Sequence, residues 1–400
     1  MLHSDNIRII KDTLYRYVQY YDIPVYSAMA QAFVDGKFFT GQKVEHKVLL
    51  GFDFCNREVT DHSGNTSGEQ RYGLYLFNPQ YYISQDSLRN FDINDSSWIY
   101  SKWAAIYVQD HIKIAGKLVV TLAGHFTHLS DSTYNYEQSD KKTFYNVFTP
   151  RAGLTWLFSD NLSAYALYDQ CFFPQYGKIF LPQPIKPLTG YNIEAGMKGY
   201  FFNKKLGLNL SFYNIVKNNT LTTDPQHPDY VIEKGQITSK GIELDLNGNI
   251  TPAFTLNANY AYTDATITKD DDPQNIGVPN FGTPKHSGNC WLKYRFFNGK
   301  LKNLSFAAGY QFMGQRGAVE SYNPDPATRF LPGYNLLDAA VSYSNEKFNI
   351  SLNVYNITNI NYATIGYFDT DIDEWRYTPG EPVNFRLSVG VNLVHYKKDK

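Results

Sequence analysis

The strict alternation of apolar and polar residues between Tyr334 and Leu393 constrains this fold more than any other feature of the chain. Phe348, Ile350, Leu352 and Val354 interleave with Asn349, Ser351, Asn353 and Tyr355. Phe385, Leu387, Val389, Val391 and Leu393 interleave with Asn384, Arg386, Ser388, Gly390 and Asn392. Successive side chains of a strand point to opposite faces, so each segment has one apolar wall and one polar wall. The apolar wall must face either a protein core or lipid.

The same pattern recurs along the whole chain. Alternation bounded by turn residues gives about 16 candidate strands. They fall near 7–20, 23–35, 43–58, 100–114, 117–130, 143–159, 162–172, 190–202, 205–217, 230–248, 253–266, 284–298, 302–316, 334–345, 347–359 and 383–395. Short and long connections alternate between them. Short turns sit at Ala115-Gly116-Lys117, Ser159-Asp160-Asn161, Asn203-Lys204-Lys205 and Asn345-Glu346-Lys347, among others. Long connections cover 59–99, 131–142, 173–189, 218–229, 267–283, 317–333 and 360–382. A soluble all-β protein has no reason to gather its long loops on one side. A membrane barrel does, with short turns on one side of the bilayer and long loops on the other. Only a closed barrel pairs every backbone group of a β structure in lipid. The expected fold class is therefore all-β, an antiparallel transmembrane β-barrel filling residues 1–400 as one domain, with lipid against the apolar wall and the lumen against the polar one.

Composition supports this. Tyr (33) and Phe (27) are abundant, and both suit strands and the aromatic girdles of a membrane barrel. Mean hydropathy is -0.41, and no apolar run of about 18 residues exists to make a transmembrane helix. With a net charge of -1 and no basic stripe, nothing points to nucleic acid. Cys55, Cys171 and Cys290 are too widely spaced for a zinc site and odd in number for a disulfide framework. The start, Met1-Leu2-His3-Ser4-Asp5, has neither the basic nor the apolar region of a secretion signal.

No catalytic constellation stands out, so the chain is expected not to be an enzyme and to need no cofactor. It contains no Gly-x-Ser-x-Gly elbow, phosphate loop or His-Glu-x-x-His. His125 and His128 lie three apart in one strand, on opposite faces, and cannot chelate one metal together. Asp270-Asp271-Asp272 is more simply a solvated loop than a calcium site. The candidate ligand contacts are loop aromatics: Tyr81, Tyr82 and Trp98, then Phe173 and Tyr176 with Phe180 nearby, then Tyr322, Tyr367 and Trp375. Such rings stack on an amphipathic ligand and exclude water. Each also has an ordinary role as loop packing or as an anchor at the lipid headgroups.

Four groups of motifs resemble one family. Thr40-Gly41, His46 and Leu49-Leu50-Gly51-Phe52-Asp53 resemble a Thr-Gly … His … Leu-x-Gly-x-Asp hairpin. Tyr107-Val108-Gln109-Asp110 is similar to a Tyr-x-Gln-Asp strand. Pro150-Arg151-Ala152-Gly153, Tyr165 to Tyr168 and Phe173-Pro174 form a third series. The fourth runs from Tyr191, Glu194, Gly196 and Gly199 through Ser239-Lys240-Gly241-Ile242-Glu243 and Pro332-Gly333-Tyr334 to Asn356-Ile357-Thr358-Asn359 with Tyr362. Their order resembles the barrel of TonB-dependent outer-membrane receptors, most closely those for ferric siderophores.

The resemblance implies energised uptake of a ferric siderophore by a monomeric receptor set in outer-membrane lipid and driven by the TonB complex. It also implies a barrel of about 22 strands, of which this chain would be the latter part, without signal, TonB-contacting segment or plug. In that reading the chain alone performs no energised uptake, and the strand at 383–395 lacks its closing partner. Two departures stand out. Gly124-His125-Phe126-Thr127-His128 replaces a Gly-x-Arg-Tyr-Asp strand, and Leu393 stands where the family has a terminal aromatic residue. Alternatives are a receptor of the same architecture for cobalamin or a glycan, and a diffusion porin of about 16 strands.

Overall fold

The computed structural model describes residues 9–392 apart from 11, 17–18, 66–71, 81–91, 136–137, 176–179, 181–184, 225, 318, 322–329 and 370–373. Its strands are β1 (Ile9–Ile10), β2 (Thr13–Arg16), β3 (Gln19–Asp22), β4 (Val25–Thr40), β5 (Val44–Asn65), β6 (Tyr72–Tyr75), β7 (Asp92–Ile114), β8 (Leu118–Asn135), β9 (Gln138–Ser159), β10 (Leu162–Phe173), β11 (Leu188–Phe201) and β12 (Leu206–Asp224). They continue with β13 (His227–Asn249), β14 (Phe254–Lys269), β15 (His286–Arg295), β16 (Leu304–Met313), β17 (Arg316–Gly317), β18 (Val319–Ser321), β19 (Phe330–Leu331), β20 (Tyr334–Ser344), β21 (Phe348–Tyr355), β22 (Ala363–Asp369), β23 (Glu374–Pro379) and β24 (Asn384–Val391). Among the described residues no helix is long and apolar enough to cross a membrane.

One sheet of 16 strands dominates. Its order is β24-β21-β20-β16-β15-β14-β13-β12-β11-β10-β9-β8-β7-β5-β3, with β4 also paired to β5. Chain neighbours are almost always spatial neighbours, as a meander of hairpins requires. Two of the short turns show the chemistry that a bend needs. Between β7 and β8, Ala115 (φ 50) and Gly116 (φ 72) both take positive φ, the pattern of a tight hairpin turn. Between β20 and β21, the Asn345 carboxamide oxygen accepts from the N–H groups of Lys347 at 2.9 Å and Phe348 at 2.7 Å.

The structure differs from the sequence expectation in two places. The expected single strand at 7–20 is instead β1, β2 and β3 among its described residues, and β3 and β4 both pair with β5, interrupted at Pro24, which has no N–H to give a ladder. The Pro24 carbonyl still accepts from Thr60 N–H at 3.1 Å. Several long connections are also largely β structure. β12 and β13 run on to Asp224 and from His227, so the expected loop at 218–229 is a hairpin tip, and 360–382 contains β22 and β23. Continued pairing satisfies the backbone outside the bilayer as well as within it.

The chain comprises two compact units, Met1–Gly36 with Val48–Gln109 and Ala123–Phe148, and Lys37–Lys47 with Asp110–Leu122 and Thr149–Lys400. In the first, Tyr107 covers Gly51, where an added Cβ would lie 2.1 Å from the ring, and its hydroxyl accepts from Gln31 Nε2 at 3.2 Å. His125 stacks on the Tyr107 ring, 5.8 Å between centres, with Nε2 4.0 Å from Asp53. His128 instead meets Asn146 at 2.8 Å, in keeping with its expected place on the other face.

In the second unit, the register separates the faces cleanly. One carries Leu210, Leu244, Tyr260, Leu292, Phe306, Val341, Leu352 and Leu387; the other carries Tyr165, Glu194, Ser211, Glu243, Asn259, Asn289, Gln311, Asn353 and Arg386. Buried apolar residues are few among the described residues, and the apolar face is exposed: Phe385 by 79%, Leu387 by 65% and Val389 by 62%. A soluble protein does not expose so large a continuous apolar surface. That face belongs in lipid.

Candidate ligand-facing surface

Three cross-strand pairs shape the polar face. Tyr165 lies opposite Gly196, Tyr213 opposite Gly241, and Trp291 opposite Gly309. In each the ring covers the glycine. An added Cβ would meet Tyr165 at 2.7 Å, Tyr213 at 2.3 Å and Trp291 at 2.5 Å. The rings therefore cover the wall where the glycines leave room, and the two tyrosine hydroxyls are held. Tyr165 donates to Glu194 Oε1 at 2.6 Å, Asn192 donates to Glu194 Oε2 at 3.3 Å, and the Tyr213 hydroxyl pairs with Thr263 at 2.9 Å. Lys198 sits over the Tyr165 ring at 5.2 Å, and Arg151 faces Asp169 at 3.7 Å. The result is a polar wall with both signs of charge and many amides, suited to a polar solute.

Above β12 and β13, at the long-loop end, lies a compact aromatic group. Phe180 stacks on His227 with ring centres 3.5 Å apart, and Tyr230 meets both edge-on. His227 Nδ1 pairs with Asp224 at 3.0 Å. The Gln226 backbone N–H and then His227 hold the Asp224 carboxyl below its usual range. A membrane-spanning strand needs about 9–11 residues, so both groups lie beyond the span. Gln175 ties the neighbouring loop down by donating to Asn219 O at 2.6 Å and Lys186 O at 3.1 Å.

A second group joins two later loops. Arg316, 4% exposed, donates to the carbonyl oxygens of Ala363 and Thr364 and lies over the Tyr334 ring. Tyr334 in turn packs on Tyr362, 4.5 Å between centres. Asn356, 2% exposed, donates to Ile360 O and Glu381 O, while its N–H donates to Asp338. Strand β18 pairs in parallel with β22 and so joins the loop before β20 to the one after β21.

Of the aromatics singled out from the sequence, Trp98 meets His62 edge-on at 6.1 Å within the first unit. Phe173 ends β10 in the second unit and is 61% exposed. Tyr367 and Trp375 have described backbone, in β22 and β23, opposite Arg376 and Phe368. Tyr81, Tyr82, Tyr176 and Tyr322 lie outside the described residues. His227, Tyr230 and Arg316 were missed by sequence reasoning. The signal for the first two was a Pro-rich turn, Asp224-Pro225-Gln226-His227-Pro228-Asp229-Tyr230, that carries both an imidazole and a phenol.

A family model described as TonB dependent receptor-like, beta-barrel, matches residues 4–357. This chain belongs to that family. Its members are outer-membrane receptors, transporters rather than enzymes. Among curated proteins, the chain is 28% identical over 356 residues to the ferrichrome outer membrane transporter/phage receptor of Escherichia coli K12, covering 82% of this chain and 44% of that protein. It is 26% identical over 406 residues to the metal-pseudopaline receptor CntO of Pseudomonas aeruginosa, covering 97% and 54%. Among solved structures, the ferric-catecholate import receptor Fiu of E. coli K12 in its closed form superposes with a TM-score of 0.77 at 19% identity, over 94% of this chain and 55% of that one. The siderophore receptor PiuA of Acinetobacter baumannii gives 0.77 at 21%, over 95% and 57%. The chain thus spans about half the length of the receptors it matches. The structural likenesses establish the TonB-dependent receptor barrel fold.

Proposed function

We propose that this chain forms wall and ligand-facing loops of an outer-membrane receptor that takes up ferric siderophores with energy delivered through TonB. The observation that carries the reading is the kind of relative it has. Besides the ferrichrome transporter, these include a ferric-pyoverdine M114 receptor of Pseudomonas at 26% identity and the ferrioxamine B receptor of Salmonella typhimurium at 27%. The polar face and the Phe180–His227–Tyr230 group supply hydrogen-bonding wall and aromatic surface, the combination that a chelate with a polar periphery requires. No bond chemistry is asked of the protein. The loop aromatics Trp98, Phe173, Tyr367 and Trp375 remain candidate contacts, as do Tyr81, Tyr82, Tyr176 and Tyr322. Growth of an iron-starved strain lacking its other siderophore receptors, supplied with single purified ferric siderophores and expressing the receptor that carries this chain, tests the reading. Rescue that also requires TonB supports it; no rescue by any ferric chelate overturns it.

A second reading has its own support, because the metal-pseudopaline receptor matches 97% of this chain. Uptake of a different chelated metal would appear in the same strain as metallophore-dependent accumulation of nickel, cobalt or zinc without iron rescue.

A further inference from the structure

The apolar face is not uniform. It carries a concavity of about 460 Å³ across β13, β14, β15 and β16. The register places Leu244, Tyr260, Gly288 and Phe312 in one row and Leu246, Ala258, Cys290 and Tyr310 in the next. All eight line the concavity, together with Asn259 and Asn289. Its floor is made where the side chains are smallest, at Ala258, Gly288 and Cys290. Leucines flank it on one side, and Tyr310 and Phe312 on the other. Toward the short-turn end the next row, Leu256 and Leu292, stays apolar.

Toward the long-loop end the chemistry changes. Tyr260 Oη meets His286 Nδ1 at 2.7 Å, and the Tyr310 hydroxyl donates to Asn335 at 2.6 Å. The groove is thus apolar along its length, without a charged lining residue, and polar at one end. Its volume lies in the range of about 300–1,000 Å³ that holds small molecules. An occupant must reach it through the bilayer and be apolar with a polar head. A second copy of the chain fits less well, because a stable interface needs on the order of 1,200–2,000 Å² and the groove spans two rows of four strands.

We propose that this groove retains the acyl chain of a bilayer lipid, seated on Ala258, Gly288 and Cys290, with its head group at the Tyr260–His286 and Tyr310–Asn335 pairs. The proposal rests on the membrane placement of the apolar face. It makes this part of the wall an ordered lipid site rather than a surface wetted by exchanging lipid. Filling the floor is the direct test. The receptor carrying this chain is purified in mild detergent, placed in nanodiscs of phosphatidylethanolamine and phosphatidylglycerol, and released for native mass spectrometry to count retained lipids. Cys290→Trp, with Ala258→Leu as a second variant, is compared with the parent and with Leu387→Trp elsewhere on the same face. A retained lipid whose occupancy falls about ten-fold in both groove variants and is unchanged in the control supports the site. Equal retention in all four proteins overturns it, as does absence of lipid from the parent. A dimer lost on Cys290→Trp also overturns it, in favour of a second copy. Failure to enter nanodiscs at all would instead count against the membrane placement.

Discussion

The Arg316 guanidinium lies 5.3 Å from the centre of the Tyr334 ring, buried between two long loops. Its Nη2 donates to Thr364 O at 2.8 Å and to Ala363 O. Hydrogen bonds from a charged donor are worth more than neutral ones, and here one side chain supplies both the bonds and the ring contact. Arg316→Ala is expected to cost the loop region about 2 kcal/mol. Amide exchange should rise at 363–366 and stay unchanged in β12 to β14. Equal exchange in the parent and variant would refute the role assigned to Arg316.

The aromatic–glycine pairs make a sharper steric prediction. At Gly241 an added Cβ would lie 2.3 Å from the Tyr213 hydroxyl and 2.4 Å from the Tyr262 carbonyl oxygen. The ring can swing away, but the backbone carbonyl cannot without bending the sheet. Gly241→Ala should therefore destabilise by about 1–3 kcal/mol through overpacking. It should also break the Tyr213–Thr263 hydrogen bond. Tyr213→Phe keeps the ring over the glycine and should cost about 1 kcal/mol or less. Heat-modifiability on a gel, read as folded fraction against temperature, separates the two.

The tip of the β12–β13 hairpin carries a pH dependence of definite sign. The Asp224 carboxyl is held below its usual range by the Gln226 N–H and by His227. A depressed acid stabilises the folded form above its unfolded value and loses that contribution as pH falls through the folded one. Exchange at 224–230 should therefore rise on acidification below the ordinary aspartate range. Asp224→Asn should flatten that profile; an unchanged profile in the variant would assign the transition to another group.

Lys234 and Asp271 pair at 2.7 Å across the neighbouring loops, with the lysine 63% exposed. The hydrogen bond to Asp271 raises the lysine above its usual value, so the lysine's contribution is present at neutral pH and is lost as pH rises through that raised value. Exposure limits its worth. Lys234→Ala should cost little stability and lose most of that small effect in high salt. A larger, salt-insensitive loss would mean that the lysine stem packs against the loop.

Much of this architecture is legible in the sequence alone. A side-chain period of two identifies a strand from one segment alone, which is why Phe385 to Val391 could be assigned to one wall and Asn384 to Gly390 to the other. Loop contacts were not legible, because they depend on which strands meet and in what register. Gly196 and Tyr165 are 31 residues apart in the chain, and only the β10–β11 register puts them opposite each other. Arg316 looks like any loop arginine until two carbonyl groups from beyond β21 close over it. The extended hairpin ending at Asp224 and His227 was hidden by its composition, since Thr220, Thr222 and Thr223 continue the ladder outside lipid without an apolar phase to mark them.

The central claim is that the alternating segments present one face to lipid and the other to an aqueous lumen in the outer membrane. Single cysteines at 385, 387 and 389, and at 386 and 388, in the receptor with Cys55, Cys171 and Cys290 replaced by serine, test it directly. In intact outer membranes, nitroxides at 385, 387 and 389 should be relaxed by oxygen dissolved in the bilayer. Those at 386 and 388 should be relaxed by a water-soluble nickel complex. Alternation with that phase is the predicted result. Access of the nickel complex to both sets, or alternation of the opposite phase, would contradict the account.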